Sequence, residues 1–219
     1  MSFSFGSMFT DKTKMVEEDQ ALPGRDSPLE ISGVHHVNGN SMKPPFPEGL
    51  EVAYFALGCF WGAEKFFWKI EGVYVTAVGY QGGYTKNPTY EESCTAKTGH
   101  AEAVMVVFDP TVVSFKELVT KFFEGHDPTQ YMGQGNDIGT EYRSAVFPNS
   151  QSQFDTTQEV LNAYNKDLQA KDFSEITTEV TQAPAPEFYY AEEYHQQYLS
   201  KNPNGYCSLN GTGVACSLS

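Results

Sequence analysis

Apolar positions along the chain form short runs that suit the strands of a buried sheet. The runs 51–57, 73–80 and 101–108 are rich in β-branched and aromatic residues, and turn-forming residues follow each of them. Two shorter segments, 144–147 and 175–181, have the same character. The pattern therefore predicts three long strands and two short ones.

Helical spacing of apolar residues fills most of the intervals between these runs. Segment 60–68 carries large aromatic side chains around a charged centre, and Ser114 with Glu117 forms a capping-box signature ahead of a second apolar helix. Segments 151–171 and 192–200 also predict helices. The central order is thus strand, helix, strand, strand, helix, strand.

This order predicts an α+β fold with a ferredoxin-like split βαβ core, in which helices cover one face of a mixed sheet. Around it we expect an irregular N-terminal arm at 1–49, a catalytic α/β domain at 50–202 and a cysteine-containing tail at 203–219. The arm is polar and interrupted by prolines. The tail is rich in Gly and Ser, so we expect it to be mobile.

Composition and charge narrow the class of protein. The chain has 219 residues, 40% of them hydrophobic, and its 14 basic against 28 acidic side chains give a formal net charge of -14. Such a chain repels phosphate backbones, so we expect no nucleic-acid partner. No apolar stretch approaches the roughly 18 residues of a membrane-spanning helix. The N-terminal sequence lacks a basic region followed by an apolar one, which favours the cytoplasm over secretion.

The four cysteines are too few for a disulfide-rich scaffold, which favours free thiols in a reducing compartment. Cys59 follows Gly58 at a predicted strand-to-helix junction, where the helix N-terminus should lower the thiol pKa. The alternative is a small core cysteine. Cys207 and Cys216 lie in the Gly-rich tail, which favours thiol exchange with an oxidised partner. A zinc site that also uses His195 is the rival interpretation, although the spacing matches no compact zinc motif.

Several polar side chains are candidates to serve the Cys59 thiol. Glu102 is the second residue of a predicted buried strand, where desolvation would raise its pKa and make it a proton donor near neutral pH. An edge carboxylate facing water is the alternative. Tyr90 and Tyr142 lie beside predicted loops, and Asp137 is most simply a turn former. Three histidines are possible bases for a cysteine nucleophile: His100, His126 and His195.

Five blocks of sequence contain most of these candidates. They are GCFWGAEKFFW at 58–68, GGYTKNPTYEESC at 82–94, TGHAEAV at 98–104, HDPTQ with QGNDIGTEYRSA within 126–145, and YYAEEYHQQYLSKNPNGYC at 189–207. Taken together and in this order, the blocks resemble those of the peptide methionine sulfoxide reductase A family, from about residue 21 to residue 216. The resemblance implies an enzyme that reduces the S epimer of methionine sulfoxide, free or in proteins, to methionine.

The resemblance also implies roles for the residues around Cys59. Cys59 matches the family's nucleophile, whose thiolate attacks the sulfoxide sulfur and ends as a sulfenic acid. Glu102 matches a proton-sharing carboxyl group, and Tyr90 and Tyr142 match hydroxyl donors to the sulfoxide oxygen.

Substrate contacts follow from the same comparison. Phe60 and Trp61 match an apolar pocket for the substrate's ε-methyl group, and Asp137 matches a residue that binds the substrate or its backbone. This chain departs from the usual family pattern in the block around Asp137, at Tyr131, Gly133 and Ile138.

The tail cysteines match the residues that recycle the enzyme. By resemblance, Cys207 attacks the Cys59 sulfenic acid to give a disulfide, and Cys216 exchanges to a Cys207–Cys216 disulfide that thioredoxin reduces. Cys94 has a family counterpart but no resolving role. The resemblance implies no metal, flavin or nicotinamide cofactor, and no dinucleotide-binding fingerprint follows a predicted strand.

Two other classes of function remain open on the residues themselves. A cysteine hydrolase or acyl transferase would use Cys59 with one of the histidines as base and would give the tail cysteines no task. A noncatalytic redox or zinc-binding interaction module would depend on the tail and would lose partner binding when the tail is removed.

Overall fold

The computed structural model describes residues 11–218. The strands are β1 Glu51–Leu57, β2 Val73–Gln81, β3 Ala101–Phe108, β4 Gly133–Gln134, β5 Asp137–Ile138, β6 Ser144–Val146, β7 Glu179–Val180 and β8 Tyr189–Tyr190. The α-helices are α1 Phe60–Phe67, α2 Tyr90–Ser93, α3 Phe115–Gly125, α4 Gln151–Gln169 and α5 Tyr198–Lys201. Short 3-10 helices form at Glu18–Gln20 and Thr140–Tyr142.

A six-stranded sheet forms the centre of the fold. Its strand order is β7-β6-β1-β3-β2-β8, and all neighbours are antiparallel except β6 with β7. Strands β4 and β5 form a separate antiparallel pair. The mixed sheet and its helices confirm the α+β class, whereas the finer comparison with a ferredoxin-like core stays a prediction.

Different parts of the chain cover the two faces of the sheet. Successive side chains of a strand point to opposite faces, so Val104 and Val106 of β3 pack with α1, α3 and α4, while Met105 points the other way. On that second face, the buried side chains of Ile31 and Met42 pack against Met105. The main helices therefore lie on one face, and the arm covers the other.

The described part of the arm is irregular and is tied to the domain by polar contacts. Arg25 forms an ion pair of 3.0 Å with Glu92, and the His35 ring lies 3.1 Å from the Thr76 hydroxyl of β2. Residues 1–10 and Ser219 lie outside the described residues, and the division of the chain into arm, domain and tail stays a prediction.

The tail returns to α3 and α4. The Cys216 backbone N–H donates a 2.7 Å hydrogen bond to the Glu124 carboxylate, and the Tyr164 hydroxyl donates one of 3.0 Å to the Val214 carbonyl. The Cys216 side chain is buried in the main core. These contacts hold the end of the tail against α3 and α4, and the mobility of the tail stays a prediction.

The prediction of a helix over 192–200 is wrong for most of that segment. Only Tyr198–Lys201 is helical, and Gln197 has a left-handed backbone with φ +48°. The side chain of Gln196 bonds to both the N–H and the carbonyl of Val78, and the Gln197 side chain donates to Glu64. In a continuous helix these amide side chains would bond to solvent, whereas here they are buried and form hydrogen bonds with β2 and α1. None of the helices within residues 11–218 has the length and apolar character needed to span a membrane.

Candidate active site

Cys59 occupies the turn between β1 and α1, as the cap residue of the helix. Gly58 makes this turn with φ +91°, and a Cβ atom at position 58 would lie only 2.6 Å from the Gln134 side chain. Glycine is therefore required by both conformation and space. The result is a thiol held at the first turn of a helix, where the backbone N–H groups of Trp61 and Gly62 act to lower its pKa.

A cavity of about 160 Å³ opens beside this thiol. Its lining consists of Cys59, Phe60, Trp61, Tyr90, Glu102, Asp137, Tyr142 and Tyr206. The eight residues come from five separate segments of the chain, and all except Tyr206 are candidates from the sequence. Tyr206 is missed because a tyrosine in a Gly-rich tail carries no periodic signal.

Glu102 lies on β3 with its side chain pointing into the cavity and only 2% of the residue exposed. Its Oε2 atom accepts a 2.9 Å hydrogen bond from the Phe60 backbone N–H. Burial raises the pKa of Glu102 to about 8 against the lowering effect of that bond, and the Glu141 and Asp137 carboxylates raise it further. The carboxyl group is therefore mainly protonated near neutral pH, and the alternative of a water-facing edge carboxylate is wrong.

The pKa of Cys59 departs from the sequence-based expectation. Burial is the main effect and raises the pKa of the thiol above its ordinary value, and the Glu102 carboxylate adds to the rise. The N–H groups of Trp61 and Gly62 act in the expected direction but are outweighed. The expected lowering of the Cys59 pKa is wrong. The sequence shows the helix N-terminus that lowers the pKa, but it does not show the burial that raises it more.

Two tyrosine hydroxyls complete the polar side of the cavity. Tyr90 begins α2 after a capping box formed by Thr89 and Glu92, and Tyr142 ends the second 3-10 helix. Burial raises the pKa of both phenols, and Glu102 contributes to each rise. Both hydroxyls thus keep their protons and can donate to an oxygen atom in the cavity.

The apolar side of the cavity is built on His195. Trp61 donates a 2.9 Å hydrogen bond from Nε1 to His195 Nδ1, and its indole stacks on Tyr198 with ring centres 3.9 Å apart. The imidazole also packs 5.0 Å from the Phe60 ring and 4.6 Å from the Tyr90 ring. Burial lowers the pKa of His195 to about 4, so the ring is neutral and acts as a wall that fixes its aromatic neighbours.

Asp137 lies at the entrance of the cavity on β5. Its carboxylate accepts hydrogen bonds of 3.2 Å from the Tyr206 hydroxyl and 2.8 Å from the Ser208 hydroxyl. The tail therefore contacts the carboxylate for which the family resemblance implies a role in substrate binding. Asp137 is therefore more than a turn former, because its carboxylate lines the cavity and accepts hydrogen bonds.

The two tail cysteines lie in different surroundings. Cys207 is exposed, and its sulfur lies against α1, 3.0 Å from where a Cβ atom would stand at Gly62. Gly62 is three residues beyond Cys59, so the two positions are neighbours on one helix face. Cys216 is only 4% exposed, and burial raises its pKa. Cys207 thus lies against the first turn of α1, which follows Cys59, while Cys216 lies within the core.

The rival uses of the histidines find less support. His100 bonds to the Thr85 carbonyl and His126 to the Ser144 hydroxyl, each at 2.7 Å, and burial lowers the pKa of each ring to about 4. His195 bonds to Trp61. Within residues 11–218, no three His, Cys, Asp or Glu side chains gather as metal ligands do.

The cavity brings together a half-buried cysteine, a protonated carboxyl group and two hydroxyl donors, which are groups that suit a thiol-dependent oxidoreductase. The family model for peptide methionine sulfoxide reductase matches residues 51–215. A peptide methionine sulfoxide reductase MsrA 1 of Synechocystis is 56% identical over 98% of this chain and 96% of its own length. The corresponding enzyme of Brucella anthropi is 56% identical over 98% of each chain.

A solved structure shares the fold as well as the sequence. Methionine sulfoxide reductase A of Corynebacterium diphtheriae superimposes with a TM-score of 0.83 and 49% identity, over 93% of this chain and 98% of the other. The chain belongs to the peptide methionine sulfoxide reductase A family and is an oxidoreductase.

Proposed function

We propose that this protein reduces the S epimer of methionine sulfoxide, free or within proteins, to methionine, with Cys59 as the nucleophile. One observation carries the proposal: the Cys59 thiol and the protonated Glu102 carboxyl line the same cavity as the hydroxyls of Tyr90 and Tyr142. The names of the relatives in Synechocystis and Brucella anthropi support the choice of substrate.

The first step oxidises the cysteine and reduces the sulfoxide by two electrons. The Cys59 sulfur attacks the sulfoxide sulfur to form an S–S bond, and the S–O bond breaks as the protonated oxygen leaves as water. Water then attacks the Cys59 sulfur and the S–S bond breaks, which releases methionine as the thioether and leaves Cys59 as a sulfenic acid. Oxide is a very poor leaving group, so the oxygen needs a proton as the bond breaks. Glu102 supplies that proton and takes up the one that Cys59 releases, which keeps the buried pair neutral overall.

The hydroxyl groups and the apolar wall orient the sulfoxide for this step. Tyr90 and Tyr142 donate to the oxygen where negative charge develops, in the manner of an oxyanion site. Phe60 and Trp61 receive the ε-methyl group, and the His195 contacts keep the Trp61 ring in place. Asp137 binds the substrate or its backbone near the entrance.

Cys207 and Cys216 return Cys59 to the thiol state. The Cys207 thiol attacks the sulfenic acid, which forms a Cys59–Cys207 disulfide and releases water. The Cys216 thiolate then attacks the Cys207 sulfur, which forms the Cys207–Cys216 disulfide and frees Cys59. The position of the Cys207 sulfur beside Gly62 supports the first exchange. The buried position of Cys216 implies that the tail rearranges for the second.

Thioredoxin is the proposed reductant of the final disulfide, and oxidised proteins and free methionine sulfoxide are the proposed substrates. The dithiol of thioredoxin has a reduction potential of about -270 mV, which suits the reduction of an intracellular disulfide. The cytoplasm is the proposed compartment, because a thiol-recycled enzyme with four cysteines depends on a reducing supply.

The test is methionine release from separate S and R epimers of methionine sulfoxide, with dithiothreitol as the reductant. We expect turnover of the S epimer alone and its loss in Cys59→Ser. Turnover of the R epimer alone, or undiminished turnover by the folded Cys59→Ser variant, would overturn the proposal.

A further inference from the structure

The entrance of the catalytic cavity continues into a second depression on the surface, which we call the flanking groove. It has a volume of about 330 Å³ and is lined by Thr13, Gln130, Tyr131, Gly133, Gln134, Gly135, Asp137 and Ile138. Asp137 lines both spaces. A substrate whose sulfoxide enters the cavity therefore has the flanking groove directly beside its backbone.

Two large apolar side chains at the flanking groove are unusually exposed to solvent. Among the large apolar side chains of residues 11–218, the two most exposed are Tyr131 at 67% and Ile138 at 64%, and both line this groove. Single exposed apolar residues are ordinary, but two at the rim of one groove beside a catalytic cavity mark a surface for apolar contact. These are also two of the positions where the chain departs from the usual family pattern.

The walls of the flanking groove are held in place before any substrate binds. Gly133 pairs with Ile138 in the β4–β5 ladder, and the Gly139 N–H donates a 2.9 Å hydrogen bond to the Met132 carbonyl. The Thr140 N–H donates a bond of the same length to the Lys12 carbonyl of the arm. A preformed surface loses little conformational entropy on binding, so its apolar groups can contribute to affinity.

We propose that the flanking groove binds the segment of an oxidised polypeptide next to its methionine sulfoxide, and selects an apolar side chain within two residues of it. The proposal rests on the reductase function proposed above. An extended chain advances about 3.3–3.6 Å per residue, so a neighbouring side chain reaches a groove that shares Asp137 with the cavity. Asp137 is the one charged residue of the groove lining, which together with the net charge of -14 disfavours an acidic neighbour.

The test compares two blocked peptides that differ only in the two residues on each side of the S-methionine sulfoxide, which are leucine in one peptide and serine in the other. N-acetylmethionine sulfoxide, which has no neighbouring side chain, is the third substrate, and dithiothreitol drives all reactions so that the tail cysteines do not limit turnover. We expect kcat/KM to favour the leucine peptide about tenfold over the serine peptide, the scale of a small apolar contact in a binding site.

Two variants in the flanking groove and one matched control outside it test whether the leucine preference arises from this groove. Ile138→Ser and Tyr131→Ser should each lower the leucine preference to about threefold or less, with kcat/KM for N-acetylmethionine sulfoxide close to that of the parental protein. Val34→Ser removes an apolar side chain of similar exposure, 58%, from outside the groove and should keep the preference.

The outcomes separate the two proposals. A parental enzyme that reduces N-acetylmethionine sulfoxide but shows no leucine preference overturns the flanking groove alone. A preference that survives both Ile138→Ser and Tyr131→Ser also overturns it. A folded parental enzyme that reduces none of the three substrates overturns the proposed function itself.

Discussion

The Glu102 carboxyl oxygen accepts a 2.9 Å hydrogen bond from the backbone N–H of Phe60, the residue that follows Cys59. The bond joins the middle of the sheet to the first turn of α1 and fixes the carboxyl beside the thiol. It also lowers the pKa of Glu102, but burial prevails and the value is about 8. The Glu102 carboxyl is therefore mainly protonated at neutral pH and lines the same cavity as the Cys59 thiol.

Replacement of Glu102 by glutamine should slow the first chemical step without a change in the fold. Glutamine keeps an oxygen acceptor for the Phe60 N–H but has no acidic proton to give. We expect the single-turnover rate of methionine formation to fall by about 10²–10⁴-fold, the usual contribution of a positioned general acid. Rapid-quench measurement of methionine formed per enzyme checks this, and an unchanged rate would remove the proton-transfer role.

The same substitution should stabilise the protein at alkaline pH. The native state raises the pKa of Glu102 from 4.5 to about 8, so the native protein binds more protons than the unfolded chain between these values. The stabilising contribution of the protonated carboxyl is complete below pH 4.5 and is lost as the pH rises through about 8. Glutamine does not titrate and has no such loss.

The measurement is the free energy of unfolding of both proteins across this range. As the pH rises from 5 to 8, the free energy of unfolding of the variant should increase relative to that of the parental protein, by at most about 1.4 kcal/mol per pH unit. The difference between the two proteins should level off above pH 8. Glu64 is also wholly buried, with its pKa raised to about 7 mainly by burial, but it is common to both proteins and cancels. A constant difference across the range would contradict the pKa assignment.

Removal of the tail thiols should separate chemistry from recycling. Cys207→Ala should release about one methionine per enzyme and then stop with thioredoxin, while dithiothreitol still supports turnover because it reduces Cys59 directly. Cys216→Ala should slow thioredoxin-driven turnover less severely and should lower the free energy of unfolding by roughly 1 kcal/mol, because its side chain is in the core. Parental rates with thioredoxin in Cys207→Ala would show that another thiol resolves Cys59.

Much of the fold follows from periodicity, since β1, β2, β3 and α3 lie where alternation, helical spacing and the Ser114 capping box predict them. The remainder depends on contacts distant in sequence. The segment 192–200 has helical spacing, yet Gln196 bonds to β2, and no local pattern reveals a partner more than a hundred residues away.

The candidate site shows the same division between local and distant effects. The sequence singles out Cys59 and Glu102, which line one cavity, and it predicts that burial raises the pKa of Glu102. It fails for the Cys59 pKa, because burial arises from β3, α2 and the tail together. It also misses Tyr206 and the supporting contacts of His195, whose importance lies in the aromatic rings around it.

Gly62 offers a direct test of the Cys207 position. An added Cβ atom would lie 3.0 Å from the Cys207 sulfur and 3.4 Å from the Leu209 Cβ, so Gly62→Ala should displace the tail from α1. Alanine favours a helix by about 1 kcal/mol over glycine, which offsets the contact in overall stability. We expect Cys59–Cys207 disulfide formation to slow by about fivefold, the factor that roughly 1 kcal/mol represents.

A double-mutant cycle isolates the contact between the two side chains. Gly62→Ala should stabilise the protein more in the Cys207→Ala background than in the parental one, because the smaller side chain relieves the crowding. Unfolding free energies of the four proteins give this coupling, and the disulfide rate is followed by thiol loss after one equivalent of sulfoxide. Equal stability changes in both backgrounds, together with an unchanged disulfide rate, would mean that Cys207 does not rest against α1 when it resolves Cys59.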